Sequence, residues 1–200
     1  MSEVDAKRKR LEQLSLSWRS CTDCALSHSR SRVVFYRGNP DARMAIVGDA
    51  PGREEDVRGV PFVGPAGKLL DGLLVEAKVS FDDVCFVNMV GCRAPAGRMP
   101  KRDELAACRP RTLDMLRTVN PVVVLMLGLT AAAKLAGVTS IGPWRGMPVA
   151  VELGLQRSCR GVVTYHPSFL LRQSNSPKVR RCMLSDIRVA RAISRKDRAE

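Results

Sequence analysis

Aromatic residues make up only 4% of this 200-residue chain, and it has just two histidines. Any stacking on bases or sugars must rely on very few rings, and each histidine is a scarce chemical group. No stretch approaches the ~18 uninterrupted apolar residues of a membrane span. The first twenty residues carry charge throughout (Glu3, Asp5, Lys7 to Arg10, Glu12), so the apolar core of a secretory signal is not expected there. Seven cysteines is an odd number, in a chain large enough to bury a core unaided, which argues against a secreted disulfide scaffold. Two phosphate-binding signatures are missing as well. Ahead of Gly67-Lys68, position 62 is Phe where a Walker loop needs Gly, position 69 is Leu, and no Gly-x-Gly-x-x-Gly occurs.

Positive charge is abundant. Thirty-three Lys and Arg against 20 Asp and Glu give a net charge of +13. A globular protein with that excess usually meets a polyanion, and nucleic acid is the leading candidate. The 45% hydrophobic and 26% charged content describes a chain able to bury a core, not a disordered one.

Short β-branched runs alternate with helical patterns. The runs Met44–Val47, Val84–Asn88, Val122–Leu127 and Gly161–Tyr165 predict strands. Helices are expected within the first twenty residues, over 66–77, 102–119 and 130–135, and over 178–195; a Gly/Pro-punctuated stretch leads to 148–153. This is the pattern of βαβ units, so the expected fold is α/β, a three-layer α/β/α sandwich around a mainly parallel four-stranded sheet. Nothing marks a second domain, and residues 1–200 read as one domain with basic helices at both ends. In such sheets ligands gather beyond the carboxyl ends of the strands. Gly48-Asp49, Asn88 and His166 each follow or end a predicted strand, so they are expected on one rim.

Residues 48–67 hold five of the fifteen glycines and three prolines, with Phe62 among them, and are acidic on balance. Glycines let backbone N–H groups approach a ligand and prolines fix the loop. Cys21-x-x-Cys24, Cys92 and Cys108 make a possible four-thiolate site, suited to zinc or to an iron–sulfur cluster. Cys85, Cys159 and Cys182 read as small core or surface residues. His28 reads as a surface residue of a basic loop. On residue chemistry alone His166 is as consistent with a structural as with a functional role, and the arginines of the last helix read as its solvated face.

Together these pieces resemble the family 4 uracil-DNA glycosylases, the iron–sulfur-bearing branch of that superfamily. The resemblance runs from Cys21 to about Arg172. It is carried by Cys21-x-x-Cys24, Gly-Asp-Ala-Pro-Gly (48–52), Glu55-Asp56, Gly59-x-Pro-Phe-Val-Gly-x-Ala-Gly67, Leu69-Leu-Asp71, Asn88-x3-Cys92-Arg93, Ala106-Ala-Cys-Arg-Pro110 and His166-Pro-Ser168. It implies a [4Fe–4S] cluster on Cys21, Cys24, Cys92 and Cys108, and hydrolysis of the N-glycosidic bond of uracil in DNA after base flipping. The family's first motif normally has Glu where this chain has Asp49, so the carboxylate reaches one methylene less far. A related branch that traps uracil covalently has a His-containing insertion, and no histidine lies between Cys92 and Cys108.

The resemblance implies roles residue by residue. Gly48, Ala50 and Phe62 line the base pocket, Phe62 stacks on the flipped base, and Asn88 reads its edge. His166 stabilises charge on the departing uracil, and Asp49 or Glu55 positions water or supports the cationic sugar. Ser168, Leu170, Leu171 and Arg172 contact DNA, with a leucine or Arg172 wedging into the gap. The expected partner is uracil-containing DNA, with no membrane and no obligate protein partner, for a monomer in the cytoplasm associated with the nucleoid. Three alternatives remain: an inactive relative that only binds DNA, a zinc-stabilised nucleic-acid module, and a glycosylase for another deaminated base.

Overall fold

A computed structural model describes residues 2–154 and 159–196. Six strands form one sheet: β1 (Arg37–Gly38), β2 (Met44–Gly48), β3 (Val84–Asn88), β4 (Val123–Leu127), β5 (Pro148–Val151) and β6 (Cys159–Thr164), in the order β1-β3-β2-β4-β6-β5. The inner four strands are parallel, and the edge strands β1 and β5 pair antiparallel to β3 and β6. The sheet is thus two strands wider than the four expected. The additions carry weak sequence signals: β1 has two residues, and β5 is mostly open to solvent.

Residues alternate across β2, β3 and β4 into two cores. Ala45, Val47, Cys85, Val87, Val124 and Met126 face one side. There they meet Leu11 and Leu14 of α1 (Glu3–Trp18), Leu113 and Leu116 of α4 (Arg102–Val119), and Ala131 and Ala132 of α5 (Leu129–Ala136). Met44, Ile46, Val84, Phe86, Val123 and Leu125 face the other side. Their partners are Leu70, Leu73 and Leu74 of α3 (Pro65–Glu76) and Met183, Ile187 and Ala190 of α7 (Pro177–Lys196). Burial of both faces is why the central strands read as unbroken apolar runs. The expected three-layer α/β/α architecture is the one observed.

Two short helices sit where loops were expected: α2 (Arg53–Arg58) inside the glycine-rich stretch, and α6 (Pro167–Arg172) after β6. Both lack the length for an apolar period. The chain runs from β2 outward to β3 and then crosses back to β4 on the other side of β2. That reversal creates a crevice at the carboxyl ends of the parallel strands. Among the described residues, no helix is long and apolar enough to cross a membrane.

Candidate active site

A cavity of about 770 Å³ opens at that crevice. Asp49 and Ala50 from the β2 end, Glu55, Phe62, Asn88 from the β3 end and His166 from the β6 end all line it. Three regions far apart in sequence, the stretch from Asp49 to Phe62, Asn88 and His166, therefore meet on one rim, as the strand-end reading expected.

The floor depends on Gly48. A Cβ there would come within 2.6 Å of the Phe62 ring and 2.7 Å of the Asn88 side-chain oxygen. Only a glycine lets both side chains close over the end of β2. Phe62 is 6% exposed, with its ring 5.6 Å from that of Phe86. Asn88 is fixed from behind. Its backbone carbonyl accepts from the Arg111 guanidinium at 3.0 Å and from the Thr112 hydroxyl at 3.2 Å, both residues being buried in α4. Sequence reasoning missed these two supports, because a buried arginine in a basic chain looks like any other.

His166 caps α6. Its Nδ1 accepts the Ser168 backbone N–H at 3.1 Å and lies 2.7 Å from the Ser168 hydroxyl, which in turn accepts from Arg172 at 3.1 Å. A backbone amide can only donate, so Nδ1 carries no proton and the neutral ring is protonated at Nε2. Burial, helped by the charge of Arg172, lowers the His166 pKa to about 4. The ring is therefore neutral near pH 7 and has one N–H to offer.

Asp49 lies on the other side of Gly128, which has φ 88°. A Cβ on Gly128 would come 3.2 Å from the His166 Cβ and 3.5 Å from the Asp49 carboxylate. Burial raises the Asp49 pKa to about 6, against the opposing pull of the Thr130 side chain and the Ala131 amide. Its Oδ1 is buried without a hydrogen-bond partner. A carboxylate in that state is a proton acceptor with one oxygen uncommitted. Glu55 differs. It is 8% exposed, and its Oε1 accepts the Gly64 N–H at 2.7 Å, tying the two ends of the 52–64 segment together.

The four residues expected at the DNA surface divide. Ser168 and Arg172 line the cavity and Leu171 is 37% exposed. Leu170 is wholly buried, in the core with α3 and α7. The expectation that Leu170 contacts DNA is therefore corrected: on a helix successive side chains point about 100° apart, so Leu170 packs on the body while Leu171 turns toward solvent. Met99 and Leu129, 57% and 43% exposed, add apolar surface at the mouth that sequence reading passed over.

Away from the cavity, burial raises the thiol pKa of Cys21 and Cys24, and that of Cys92 to about 11, with the Cys108 charge adding to each. The Gly91 N–H and Arg111 Nε each approach Cys108 Sγ at 3.3 Å, and Arg30 approaches Cys92 Sγ at 3.6 Å. Among the described residues, no three His, Cys, Asp or Glu side chains are drawn tightly enough to hold a single metal ion. Cys85 and Cys159 are buried in the core, as expected.

The family model described as the uracil DNA glycosylase superfamily matches residues 35–188. A type-4 uracil-DNA glycosylase of Thermotoga maritima is 39% identical over 192 residues, covering 94% of this chain and 96% of the relative. One from Saccharolobus solfataricus is 35% identical, covering 89% of this chain and 84% of the relative. A third, from Archaeoglobus fulgidus, is 34% identical over 76% of this chain and 78% of its own length.

Proposed function

Since the chain belongs to the uracil-DNA glycosylase superfamily, we propose that it excises uracil from DNA by hydrolysing the N-glycosidic bond. The observation that carries this reading is the pairing across Gly128 of a neutral, Nε2-protonated His166 with an Asp49 carboxylate whose Oδ1 is uncommitted.

Uracil must first leave the duplex, at a cost of a few kcal/mol. The cavity receives it with Phe62 against its face and Asn88 along its edge. The Asn88 amide accepts from N3–H and donates to O4. Cytosine presents the reverse pattern and would leave two buried groups mispaired, which supports strong rejection. As the bond from the sugar C1′ to uracil N1 breaks, the electron pair departs with the base and negative charge grows on O2. The His166 Nε2–H donates to that oxygen, a role typically worth ~3–4 kcal/mol. Water held by Asp49 attacks C1′ and gives its proton to the carboxylate, leaving an abasic sugar and the uracil anion, which takes a proton from solvent on release. Glu55 shapes the loop that carries Phe62. Leu171, rather than Leu170, is the wedge that fills the vacated stack.

Cys21, Cys24, Cys92 and Cys108 are proposed to hold a [4Fe–4S] cluster. The approach of Gly91, the residue before Cys92, to the Cys108 sulfur and the N–H donors aimed at the sulfurs of Cys92 and Cys108 support this, and four thiolates are the donor set such a cluster takes. When bound it would cross-link the Cys21–Cys24 loop to the β3 end and α4. No step of the chemistry passes through it.

The test is single-turnover cleavage of a uracil-containing oligonucleotide. Abasic product from the uracil strand, and none from a cytosine control, is expected. Saturated binding without product would overturn the enzymatic reading in favour of a DNA-binding relative.

A further inference from the structure

A second cavity, of about 790 Å³, lies at the opposite end of α2 from the active site. Gly52 to Glu55 line the active-site cavity, while Arg58 and Gly59 line the second. Four arginines border it: Arg19 after α1, Arg30 and Arg32 from the segment following Cys24, and Arg58 ending α2. Ser27 and Ser31 add hydroxyls, and no Asp or Glu is among the lining residues. Among the described residues, the one ion pair these arginines make, Arg58 with Glu54 at 3.6 Å, is between exposed side chains and contributes little.

This concentration of charge is held in place. The Ser31 N–H donates to both oxygens of Asp56, at 2.9 and 3.1 Å, and Asp56 is 3% exposed. The Arg32 stem passes 3.4 Å from the point where a Cβ of Gly59 would lie. Arg30 reaches back to the Cys92 sulfur. The arginine segment is therefore bolted to the helix whose other end faces the reacting base. Rigid like charges repel unless an anion lies among them, and arginine forks with serine hydroxyls suit phosphate oxygens. The only rings among the lining residues are Phe35, which is buried, and Tyr36, which is half-buried, so the lining offers no open platform for a base. Chemistry of this kind fits a sugar–phosphate backbone.

The spacing fits as well. Six residues of α2 rise ~9 Å, and a duplex strand advances ~3.4 Å per phosphate. The groove thus lies roughly two to three nucleotides from the cavity. We propose that Arg19, Arg30, Arg32 and Arg58 form a phosphate-tracking groove that holds the DNA strand two to three nucleotides to one side of the flipped uridine. This rests on the glycosylase reading and adds to it a binding surface with a direction along the strand.

The test uses the full chain with Arg19, Arg32 and Arg58 each changed to Gln, which keeps the stems and removes the charge; Arg30 is left intact because it touches a cysteine. Kd is measured against salt for uracil duplexes with both flanks long, or with either flank cut to one nucleotide. On long duplexes the triple variant should bind at least tenfold more weakly, and its log–log salt slope should be shallower by about two to three. Its single-turnover rate at saturating DNA should match the parent. Cutting one flank, and not the other, should erase the difference between the two proteins. The single change Arg58→Gln, at an exposed helix end, should flatten the slope by about one and serves if the triple variant folds poorly. A parental slope and affinity in these variants, or weakening indifferent to which flank is cut, overturns the groove. A parent protein that shows the flank effect but releases no uracil overturns the glycosylase reading instead.

Discussion

His166 Nδ1 accepts the backbone N–H of Ser168 at 3.1 Å, and this one contact decides which ring nitrogen faces the base. The proton sits on Nε2, and burial keeps the ring neutral with a pKa of about 4. On the proposed mechanism its role is confined to the moment when charge develops on O2. His166→Ala should therefore lower the single-turnover rate by at least ~100-fold. Affinity for DNA should hardly change, since it comes mainly from phosphate contacts. Cleavage at the parent rate in DNA-saturated His166→Ala would remove the residue from the mechanism.

The two acidic residues of the cavity should separate cleanly. Asp49 has an unpartnered oxygen, whereas one Glu55 oxygen is committed to Gly64. Glu55→Gln keeps an oxygen able to accept that N–H and should cost little activity. Asp49→Asn removes the proton acceptor and should cost ~100-fold or more. The parent rate should also fall as pH drops through about 6, where the Asp49 carboxylate takes up a proton. His166, already neutral in that range, adds no second limb. A rate–pH profile that keeps its acid limb in Asp49→Asn assigns the base elsewhere.

Base reading is expected to reside in the Asn88 amide. Asn88→Asp replaces the donor facing O4 with an acceptor, so discrimination between uracil and cytosine substrates should narrow by ten-fold or more, about 1.4 kcal/mol. Thr112→Val, which takes away one donor to the Asn88 carbonyl while leaving the amide unchanged, should lower the uracil rate without relaxing selectivity. Equal rates for parent and Asn88→Asp on both substrates would show that the base is read by other groups.

Strands β2, β3, β4 and β6 were legible because burial on both faces demands unbroken apolar runs, and their ends led directly to Asp49, Asn88 and His166. The edge strands were not, since two residues such as Arg37–Gly38 carry no periodicity. Family motifs supplied what strand ends alone could not, the choice of Phe62 as a pocket residue. Leu170 and Leu171 could not be told apart, because their fates depend on how a six-residue helix docks. Arg111 was equally hidden: it is buried at 2% exposure among partners 23 and 77 residues away in the chain.

The cysteines give a prediction independent of catalysis. Purified protein should absorb near ~400 nm and contain iron, as expected of iron–sulfur thiolates and not of zinc. Cys108→Ala should lose both, since it removes one of the four thiolates that the proposed cluster needs. Cys85→Ala opens a gap in the core and should lower stability while keeping the colour. Normal iron content in Cys108→Ala would rule out the four-cysteine site.

The last prediction concerns what Asp49 does to the resting protein. Its folded pKa of about 6 stands above the 3.8 of an ordinary aspartate because burial disfavours the charge. A group raised in this way binds its proton more tightly in the folded than in the unfolded chain. Between pH ~4 and ~6 the folded state holds the extra proton, so stability contributed by that proton is lost as pH rises through the window and stays lost above it. At pH 7 the buried charge therefore costs up to ~3 kcal/mol. Asp49→Asn removes the charge while keeping the shape. In the absence of DNA it should melt several degrees higher than the parent at pH 7, and the advantage should shrink toward pH 4. The same substitution that nearly abolishes cleavage would then stabilise the fold, as expected where a site holds a carboxylate ionised in poor solvation for its chemistry. Thermal melts of the two proteins at both pH values decide it: equal melting temperatures at pH 7, or a less stable variant, would mean that Asp49 is held by contacts strong enough to cancel its burial.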